Sequence, residues 1–427
     1  MKKRVLVFPA GSEIALEINN ALKYSTHFEV YGLSSVPCHA AYVYSNYIEG
    51  IPFYTESNFC EELNRIIDEN QIDFIYPAYD DIQLYLTENK DRFHAQIVTS
   101  ELDTVRICRS KETTYRYFNM LEFIPEFYSS IDGVTSFPVF VKPDVGQGSQ
   151  GAMIVDTKEE LELALKKNPD LIICEYLPGD EFTIDCLTDN KGELRVCRMR
   201  DRKRIRNGIS VSSQRLAVPD DILHMAQEIN RRLKFCGAWF FQIKKNDKGE
   251  YRLMEIAPRI AGTMGMSRNT GVNFPLLTLF CLMELPVDII ENEYHIEVDR
   301  ALISRYHTDL DYDTIYVDLD DTLIVNGRIN TVLIQYLYQT VNQGKRRILL
   351  TKHSREVSDT LLENRISESL FDEVIRIDRD KEKRDYIHYK KSIFIDDSFS
   401  ERKKISQACN IPVFDCSEVE ALLDWRV

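Results

Sequence analysis

Three short apolar runs in the last third of the chain constrain the fold most, because each ends abruptly in a polar residue. They are Ile315 to Val317 before Asp318, Ile348 to Leu350 before Thr351, and Ile393 to Ile395 before Asp396. Continuous apolar runs separated by stretches long enough for a helix predict buried strands of a parallel sheet. Ligands of such sheets bind at the carboxyl ends of the strands. We therefore expect an α/β domain over residues 309–427, with a polar site at one edge.

The first 110 residues show a similar alternation of strands and helices. Val5 to Phe8 and Asp73 to Tyr76 are apolar runs of strand length, and Asn58 to Glu69 has the character of a helix. Ser12 follows a turn and is suited to capping the first helix. Strands that alternate with helices predict a parallel sheet over residues 1–110. No Gly-x-Gly-x-x-Gly follows the first strand, so a dinucleotide site is not expected.

Between residues 111 and 308 the predicted strands follow one another closely. Val139 to Val141 and Ala152 to Val155 flank a glycine-rich loop, and more strands follow at Leu171 to Cys174, Phe182 to Leu187, Leu194 to Met199, Phe240 to Lys244 and Tyr251 to Ile256. Such a run predicts antiparallel sheets. The fold class is therefore α/β and α+β, in three domains over residues 1–110, 111–308 and 309–427.

Charge and cysteine content narrow the function classes. The formal net charge of −15 argues against non-specific nucleic-acid binding and against an anionic membrane surface as a partner. Ten cysteines without a Cys-x-x-Cys pair predict a reduced, cytoplasmic protein. The apolar run Val5 to Phe8 is too short for a signal peptide, and the run Phe274 to Ile290 contains two acidic residues, so no membrane span is expected.

A glycine loop with a preceding lysine is a candidate phosphate site. Gly146, Gly148 and Gly151 would let backbone N–H groups approach a phosphate without side-chain clashes. Lys142 would supply a positive charge for the phosphate oxygens. The alternative is a flexible hairpin tip with an exposed lysine.

Further motifs in the first 308 residues resemble those of the ATP-grasp superfamily, in the subgroup of carbamoyl-phosphate synthetase and biotin carboxylase. They are Phe8-Pro9-Ala10-Gly11, Tyr76-Pro77-Ala78-Tyr79-Asp80-Asp81, the glycine loop, Glu175-Tyr176-Leu177-Pro178-Gly179 and Glu255-Ile256-Ala257-Pro258-Arg259. The resemblance implies a pre-ATP-grasp α/β domain followed by an ATP-grasp domain. It also implies ATP and Mg²⁺ as cofactors, and it is compatible with a homodimer.

The resemblance assigns roles to individual residues. Those expected to bind the nucleotide are Lys111, Lys142, Gly148, Ser149, Gln150, Gly151, Glu175, Tyr176, Leu177 and Glu181. Lys111 and Lys142 would contact the phosphates, Glu175 to Leu177 the adenine, and Glu181 the ribose. Gln242 and Glu255 would help to hold Mg²⁺, which prefers oxygen ligands. Arg259 would stabilise an acyl-phosphate transition state, and Arg200 and Arg206 would also face the phosphates.

One position departs from the family pattern. The family usually has Glu-x-Asn-Pro-Arg with the asparagine as a metal ligand, whereas Ala257 stands there in this chain. Water, substrate or another residue would have to supply that ligand. The alternative for Glu255 and Arg259 is an ion pair at a strand end.

The segment Val317-Asp318-Leu319-Asp320-Asp321-Thr322-Leu323 is the sharpest motif of the chain. Two carboxylates this close repel each other unless a cation neutralises them. One carboxylate can attack a phosphoryl group while a second protonates the leaving oxygen. The alternative is a coincidental acidic turn on an α/β fold.

Residues 309–427 resemble the haloacid dehalogenase-like (HAD-like) phosphatases, with four motifs in the family order. The resemblance makes Asp318 the nucleophile, Asp320 the general acid/base, Thr351 a phosphoryl ligand and Lys383 the neutralising cation, with Lys381 as the alternative. Its metal site would comprise Asp318, Asp320, Asp396 and Asp397, with Glu401 nearby. The gaps between the motifs leave no room for a large cap domain, so a capless Rossmannoid domain is expected.

Together these motifs predict a bifunctional enzyme. One half would join a small-molecule carboxylate to an amine through an acyl-phosphate, giving ADP and phosphate, and the other would remove phosphate from a metabolite. One alternative is a small-molecule kinase paired with a phosphatase. A second is a nucleotide-binding regulatory or scaffold protein with an active phosphatase domain.

Overall fold

A computed structural model describes residues 2–146, 148, 150–206 and 208–426 of the chain. It divides into two compact units, Met1–Leu302 and Ile303–Val427. The first two predicted domains thus share one unit, and the division after Leu302 lies close to the predicted one after residue 308. The predicted combination of parallel and antiparallel sheets in a multidomain chain is confirmed.

The first unit begins with a five-stranded parallel sheet in the order β3-β2-β1-β4-β5. Its strands are β1 (Lys3–Phe8), β2 (Phe28–Ser34), β3 (Asn46–Glu49), β4 (Phe74–Pro77) and β5 (Gln96–Ile97). Its helices are α1 (Glu13–Leu22), α2 (Phe59–Asn70) and α3 (Asp80–Glu88). Val5 and Val7 of β1 pack into one core, and Leu6 and Phe8 into another. Burial on both faces explains why β1 is continuously apolar.

Two short helices lead from this sheet into the rest of the unit. They are α4 (Leu102–Arg109) and α5 (Lys111–Tyr117). Ser110 separates them and caps α5, because its hydroxyl accepts the Thr113 N–H at 3.0 Å. This cap places Lys111 at the first turn of α5 and Tyr115 inside the unit.

An antiparallel four-stranded sheet carries the glycine loop, in the order β6-β9-β7-β8. Its elements are β6 (Phe127–Tyr128), β7 (Val139–Pro143), β8 (Met153–Val155), α6 (Lys158–Lys167) and β9 (Leu171–Glu175). The predicted hairpin is present, since β7 and β8 pair antiparallel on either side of the loop.

The largest sheet of the first unit has the order β12-β13-β11-β10-β14-β15, with β16 paired to β13. Its elements are β10 (Glu181–Thr188), β11 (Leu194–Asp201), β12 (Arg204–Arg206), β13 (Ile209–Leu216), α7 (Asp220–Arg232), β14 (Gly237–Lys245), β15 (Tyr251–Ala257), α8 (Gly265–Asn269), α9 (Phe274–Leu282) and β16 (Glu297–Asp299). All these pairings are antiparallel. The fully buried Trp239 stacks on Phe235 and anchors the core between this sheet and α7.

The second unit contains a five-stranded parallel sheet in the order β21-β20-β17-β22-β23. Its elements are β17 (Thr314–Val317), β18 (Ile324–Val325), β19 (Arg328–Ile329), α10 (Thr331–Asn342), β20 (Arg346–Thr351), α11 (Val357–Glu363), β21 (Glu373–Arg376), β22 (Ser392–Ile395), α12 (Phe399–Cys409) and β23 (Val413–Phe414). The strand order reverses around β17, so its carboxyl end is the crevice where such sheets bind ligands. Between β17 and α10 lies only the short β18–β19 hairpin.

Short 3₁₀ helices complete both units. They are His39–Tyr42, Lys90–Arg92 and Ile131–Gly133 in the first unit, and Glu368–Leu370, Lys383–Tyr386 and Cys416–Leu422 in the second.

Candidate active sites

Two glycines meet where the glycine loop approaches the tip of the β12–β13 hairpin. Gly148, Gly151 and Gly208 all have positive φ, at 64°, 73° and 72°. A Cβ placed on Gly208 would lie 2.2 Å from the Gly148 carbonyl carbon, so the approach depends on the absence of a side chain. Gly148 and Gln150 line the cavity beneath this contact. Ser149, also predicted here, lies outside the described residues.

Two lysines line the cavity of about 110 Å³ below the glycine loop. Lys142 lies at the end of β7, where its ammonium donates to the Tyr115 hydroxyl at 2.8 Å and the Met254 carbonyl at 3.2 Å. Burial lowers the pKa of Lys142 below its usual value. Lys111 donates to the carbonyls of Asp144 and Gly146 at 3.2 and 3.4 Å. The predicted pair of lysines therefore comes together, from two different elements.

The segment predicted to contact adenine lines a separate, mostly apolar cavity of about 40 Å³. Glu175, Tyr176 and Leu177 form part of its wall, and the other residues are Tyr115, Pro125, Phe140, Lys142, Cys174, Lys244 and Met254. The Glu175 carboxylate accepts the Glu126 N–H at 3.0 Å and lies 3.3 Å from Arg252. These contacts hold the side chain of Glu175 in place.

Gln242 and Glu255 face each other across β14 and β15 and line the same cavity as the two lysines. Ala257 is buried two residues further along β15 and lines the neighbouring, larger cavity. Glu181 lies 2.7 Å from Arg202, so its predicted ribose contact would compete with an ion pair.

The two further arginines predicted to face the phosphates lie in different surroundings. Arg200 is buried and held by both oxygens of Asp185, at 2.8 and 3.2 Å, while Arg206 is exposed on β12. Arg202, which the sequence reasoning missed, lines both the glycine-loop cavity and the larger one. Its signal was weak, because the segment Arg198 to Arg206 offers five arginines and a lysine with no distinguishing spacing.

Arg259 lies in the larger cavity, which has a volume of about 430 Å³. Its guanidinium donates to the Asp80 carboxylate at 2.8 Å and lies over the Phe240 ring at 5.1 Å. Although burial favours the neutral acid, Arg259 holds the pKa of Asp80 below its usual value. The proposed ion pair at the strand end therefore exists, but its carboxylate is Asp80 at the start of α3 rather than Glu255. Arg300 also lines this cavity and pairs with Glu13.

In the second unit, a buried lysine joins two of the predicted motifs. Lys383 Nζ lies 2.6 Å from Asp318 Oδ1 and 2.6 Å from Asp396 Oδ2. Lys383 rather than Lys381 therefore occupies the position beside the predicted nucleophile. The remaining oxygen of Asp396 accepts the Ser398 N–H at 2.7 Å, which fixes its orientation.

The charges of this cluster do not cancel. Burial raises the pKa of Asp318 to about 6, and Asp396 adds to the rise while Lys383 opposes it. The pKa of Asp396 is also raised by burial. Burial by itself would lower the pKa of Lys383, but the two carboxylates raise it. Two buried carboxylates thus share one ammonium, which leaves the cluster short of positive charge.

Three carboxylates of the second unit could hold a cation. Asp318, Asp396 and Asp397 each offer an oxygen, and these oxygens lie within 4.8 Å of one another. Asp397 is fixed through Thr322, whose hydroxyl accepts the Asp397 N–H at 2.9 Å. The predicted ligand Asp320 is not in this group of described residues, nor is Glu401, which pairs with Lys352 at 3.0 Å. Asp320 follows the strand end on a turn that directs its carboxylate towards His353 instead.

Asp320 and Thr351 flank the cluster from neighbouring strand ends. Thr351 is fully buried at the end of β20, and its hydroxyl accepts the His353 N–H at 3.2 Å. His353 Nδ1 lies 2.9 and 3.0 Å from the two oxygens of Asp320. The sequence reasoning missed His353, although its position two residues after Thr351 puts it on the loop at that edge.

Solved structures that resemble this chain include a biotin carboxylase and a synthetase. Biotin carboxylase from Campylobacter jejuni superimposes with a TM-score of 0.58 at 13% identity, covering 70% of this chain and 75% of that one. N5-carboxyaminoimidazole synthetase from Staphylococcus aureus, in complex with ADP, has a TM-score of 0.57 at 15% identity. The match covers 68% of this chain and 81% of that one. The first unit has the ATP-grasp fold. A family model described as "ATP-grasp in the biosynthetic pathway with Ter operon" matches residues 167–306.

Sequence relatives of this chain are D-alanine–D-alanine ligases that match it over part of their length. D-alanine–D-alanine ligase from Thermotoga petrophila is 31% identical over 108 residues, which are 23% of this chain and 36% of that protein. The ligase from Fusobacterium nucleatum is 36% identical over 63 residues, covering 15% and 22%. The chain therefore spans about a third or less of the length of these relatives.

The prediction of ATP and Mg²⁺ fits the ATP-grasp relatives. ATP-grasp enzymes use both, and one similar structure, the biotin carboxylase domain of a Hydrogenobacter thermophilus 2-oxoglutarate carboxylase, is a dimer in complex with MgADP. It has a TM-score of 0.55 at 15% identity and covers 67% of this chain and 71% of that one. None of the helices in the described part of the chain has the length and apolar character that a bilayer span needs.

Proposed function

We propose that the first unit is a Mg²⁺- and ATP-dependent ligase that activates a small-molecule carboxylate as an acyl-phosphate. The observation that carries this proposal is a row of three cavities that share wall residues. Lys142 lines both the apolar cavity and the glycine-loop cavity, and Glu255 lines both the glycine-loop cavity and the larger one. An adenine, a triphosphate and an acceptor carboxylate would fill these cavities in that order.

The proposed role of each residue follows from the cavity that it lines. Lys111 and Lys142 bind phosphate oxygens, and the glycine loop supplies backbone N–H groups above them. Glu175 to Leu177 orient the adenine. Arg259 faces the acceptor cavity, where its fixed guanidinium stabilises the charge that develops as the carboxylate oxygen attacks the γ-phosphorus. The bond from that phosphorus to the bridging oxygen of ADP then breaks.

Gln242 and Glu255 provide oxygen donors on adjacent strands, which fits one hard cation better than two, because Ala257 supplies no side-chain ligand. Mg²⁺ bound there would neutralise charge on the transferred phosphate. A carboxylate and an amine as substrates, and a homodimer, stay predictions for this chain.

The second unit is proposed to be a phosphatase that acts through an aspartyl-phosphate. The cluster of Asp318, Lys383 and Asp396 supports it, because Lys383 stands directly beside the predicted nucleophile. An oxygen of Asp318 would attack phosphorus while the bond to the leaving oxygen breaks and Asp320 donates its proton to that oxygen. Water then attacks the phosphorus and breaks the bond to Asp318, as Asp320 accepts a proton from the water.

Asp318, Asp396 and Asp397 fit a hard cation, since all three offer carboxylate oxygens and the cluster is short of positive charge. Mg²⁺ bound by them would screen the repulsion between Asp318 and the phosphoryl oxygens. Thr351 would donate a hydrogen bond to the phosphoryl group.

The Asp318→Asn variant tests the two proposals together. We would follow MgATP with pooled amino acids, amines and small carboxylic acids by phosphorus NMR. Because the variant should lack phosphatase activity, substrate-dependent ADP and free phosphate would report the first unit. The expected result is equimolar ADP and phosphate, with a new amide in the mass spectrum.

Two results would contradict these proposals. ADP with a persistent phosphorylated product and no free phosphate would exclude the ligase and favour a kinase. For the second unit, hydrolysis of a generic phosphoester should depend on Mg²⁺ and vanish in Asp318→Asn, and undiminished hydrolysis in that variant would exclude the aspartyl-phosphate route.

A further inference from the structure

One imidazole holds the exposed carboxylate at the mouth of the second unit's site. The side chain of Asp320 is 55% exposed, whereas that of His353 is only 10% exposed. His353 Nδ1 lies within 3.0 Å of both Asp320 oxygens. A carboxylate this exposed would ordinarily rotate in water, so a nearly buried partner that contacts both oxygens restricts its orientation.

The imidazole is itself fixed from the opposite side. His353 Nε2 lies 2.8 Å from the Thr360 hydroxyl on α11. The backbone N–H of His353 donates to the hydroxyl of Thr351, so the same residue is tied to the predicted phosphoryl ligand. His353 therefore connects α11, the end of β20 and the turn after β17 in one chain of hydrogen bonds.

The charged residues that flank His353 in the sequence pair elsewhere. Lys352 contacts Glu401, Arg355 contacts Glu363, and Glu356 lies 3.5 Å from Arg376. Asp320 is thus the carboxylate that the His353 imidazole contacts, and this contact orients Asp320.

We propose that His353 is a positioning residue that holds the Asp320 carboxylate towards the leaving oxygen of the phosphoester. This inference rests on the proposed phosphatase function and adds a residue that the phosphatase motifs do not include. His353 does not touch the phosphoryl group, and it acts through the orientation of Asp320.

The chemistry predicts a specific signature. Breaking the bond to an alkoxide needs a proton from Asp320, whereas a leaving group such as 2,4-dinitrophenolate departs without one. If the Asp320 carboxylate loses its orientation, the hydrolysis of alkyl phosphates should therefore slow much more than the hydrolysis of 2,4-dinitrophenyl phosphate. A merely structural defect would slow both substrates by the same factor.

The experiment compares initial rates of the full-length chain with Mg²⁺ on glycerol phosphate and on 2,4-dinitrophenyl phosphate. In His353→Ala, we expect kcat for glycerol phosphate to fall about 10²-fold. The rate constant for the first release of dinitrophenolate, measured by rapid mixing, should fall less than about tenfold. His353→Asn should recover part of the loss, because an amide N–H can replace Nδ1–H. His388→Ala is the matched control, as His388 is an exposed histidine of the same unit.

A double-mutant cycle with Asp320→Asn decides whether His353 acts through Asp320. If it does, His353→Ala should not lower kcat for glycerol phosphate any further in the Asp320→Asn background. Equal losses on both substrates, or full additivity in the cycle, would overturn the inference while leaving the phosphatase intact. A wild-type chain inert towards both phosphoesters would instead reject the phosphatase function, and this inference with it.

Discussion

At the carboxyl end of β17, one ammonium lies between two buried carboxylates. Lys383 contacts Asp318 and Asp396 at equal distances of 2.6 Å, and both carboxyl groups have raised pKa values. A buried site with two acids and one base is stabilised by a proton or by a cation. The residues that would perform the chemistry are therefore a source of instability in the metal-free chain.

Asp318→Asn should stabilise the second unit when Mg²⁺ is removed. The pKa of Asp318 is about 6 in the folded chain against an ordinary 3.8, so the folded state binds its proton more tightly. The stabilisation from this proton is complete below about pH 4 and is lost as pH rises through 6. Above pH 6, we expect the variant to exceed the wild type in unfolding free energy by about 1–3 kcal/mol, and the difference to shrink near pH 4.

Urea unfolding with EDTA measures this difference. The chain contains two tryptophans, so a Trp239→Phe background leaves Trp425 as the fluorescent reporter of the second unit. The variant should also lose the stabilisation that Mg²⁺ gives the wild type. A difference that does not change between pH 4 and pH 7 would contradict the charge argument.

Two loops, rather than two side chains, form the roof of the glycine-loop cavity in the first unit. The glycine loop between β7 and β8 and the tip between β12 and β13 approach so closely that Gly208 has no room for a Cβ beside Gly148. Both positions also have a positive φ. The shape of this roof therefore depends on how closely the β7–β8 loop and the β12–β13 tip approach each other.

Gly208→Ala should weaken nucleotide binding by pushing the two loops apart. We expect the Kd for MgADP, measured by calorimetry, to rise about tenfold. Gly192→Ala is the matched control, because Gly192 has a φ of 82° and nothing within 4 Å of a Cβ. Both substitutions carry the strain of a left-handed alanine, about 1 kcal/mol, and only Gly208→Ala adds the clash. Equal Kd values for the two variants would show that the contact does not shape the cavity.

Each unit has the size and the core of an independent domain. The second unit has two hydrophobic clusters of its own, one around Leu337 and Leu349 and the other around Phe394 and Ile405. A segment of this length can bury enough apolar surface to fold by itself. The two proposed activities should therefore be separable.

Residues 303–427 expressed alone should fold and retain Mg²⁺-dependent phosphoester hydrolysis. We expect one cooperative urea transition for this fragment, with a midpoint close to that of the second unit in the full chain. Hydrolysis of a small phosphoester by the fragment at the full-chain rate would also show that the second unit needs no other part of the protein for this activity. A fragment without a cooperative transition would contradict the independence of the unit.

Local patterns predicted much of both units. Apolar runs of strand length indicated β1, β17, β20 and β22, and the closely spaced strands indicated the antiparallel sheets, because these signals depend on neighbouring residues. The strand pattern predicted that Asp318, Thr351 and Asp396 share one edge, since the carboxyl ends of parallel strands share an edge. Lys383 lies in a 3₁₀ helix before β22, and its place beside Asp318 was predicted from the family resemblance alone. Arg202 was missed because nothing in its immediate sequence distinguishes it from the neighbouring arginines. His353 was missed because it belongs to none of the four motifs, although it follows Thr351 by two residues.

By itself, the sequence determined the type of each sheet, the position of the polar strand ends and the residue types available there. Only the tertiary structure decided which charges meet: Asp80 rather than Glu255 holds Arg259, Lys383 rather than Lys381 lies between the aspartates, and Asp320 turns to His353. The reason is physical. Periodicity and turn chemistry act over a few residues, whereas the partner of a buried charge is set by packing between segments that are distant in the chain.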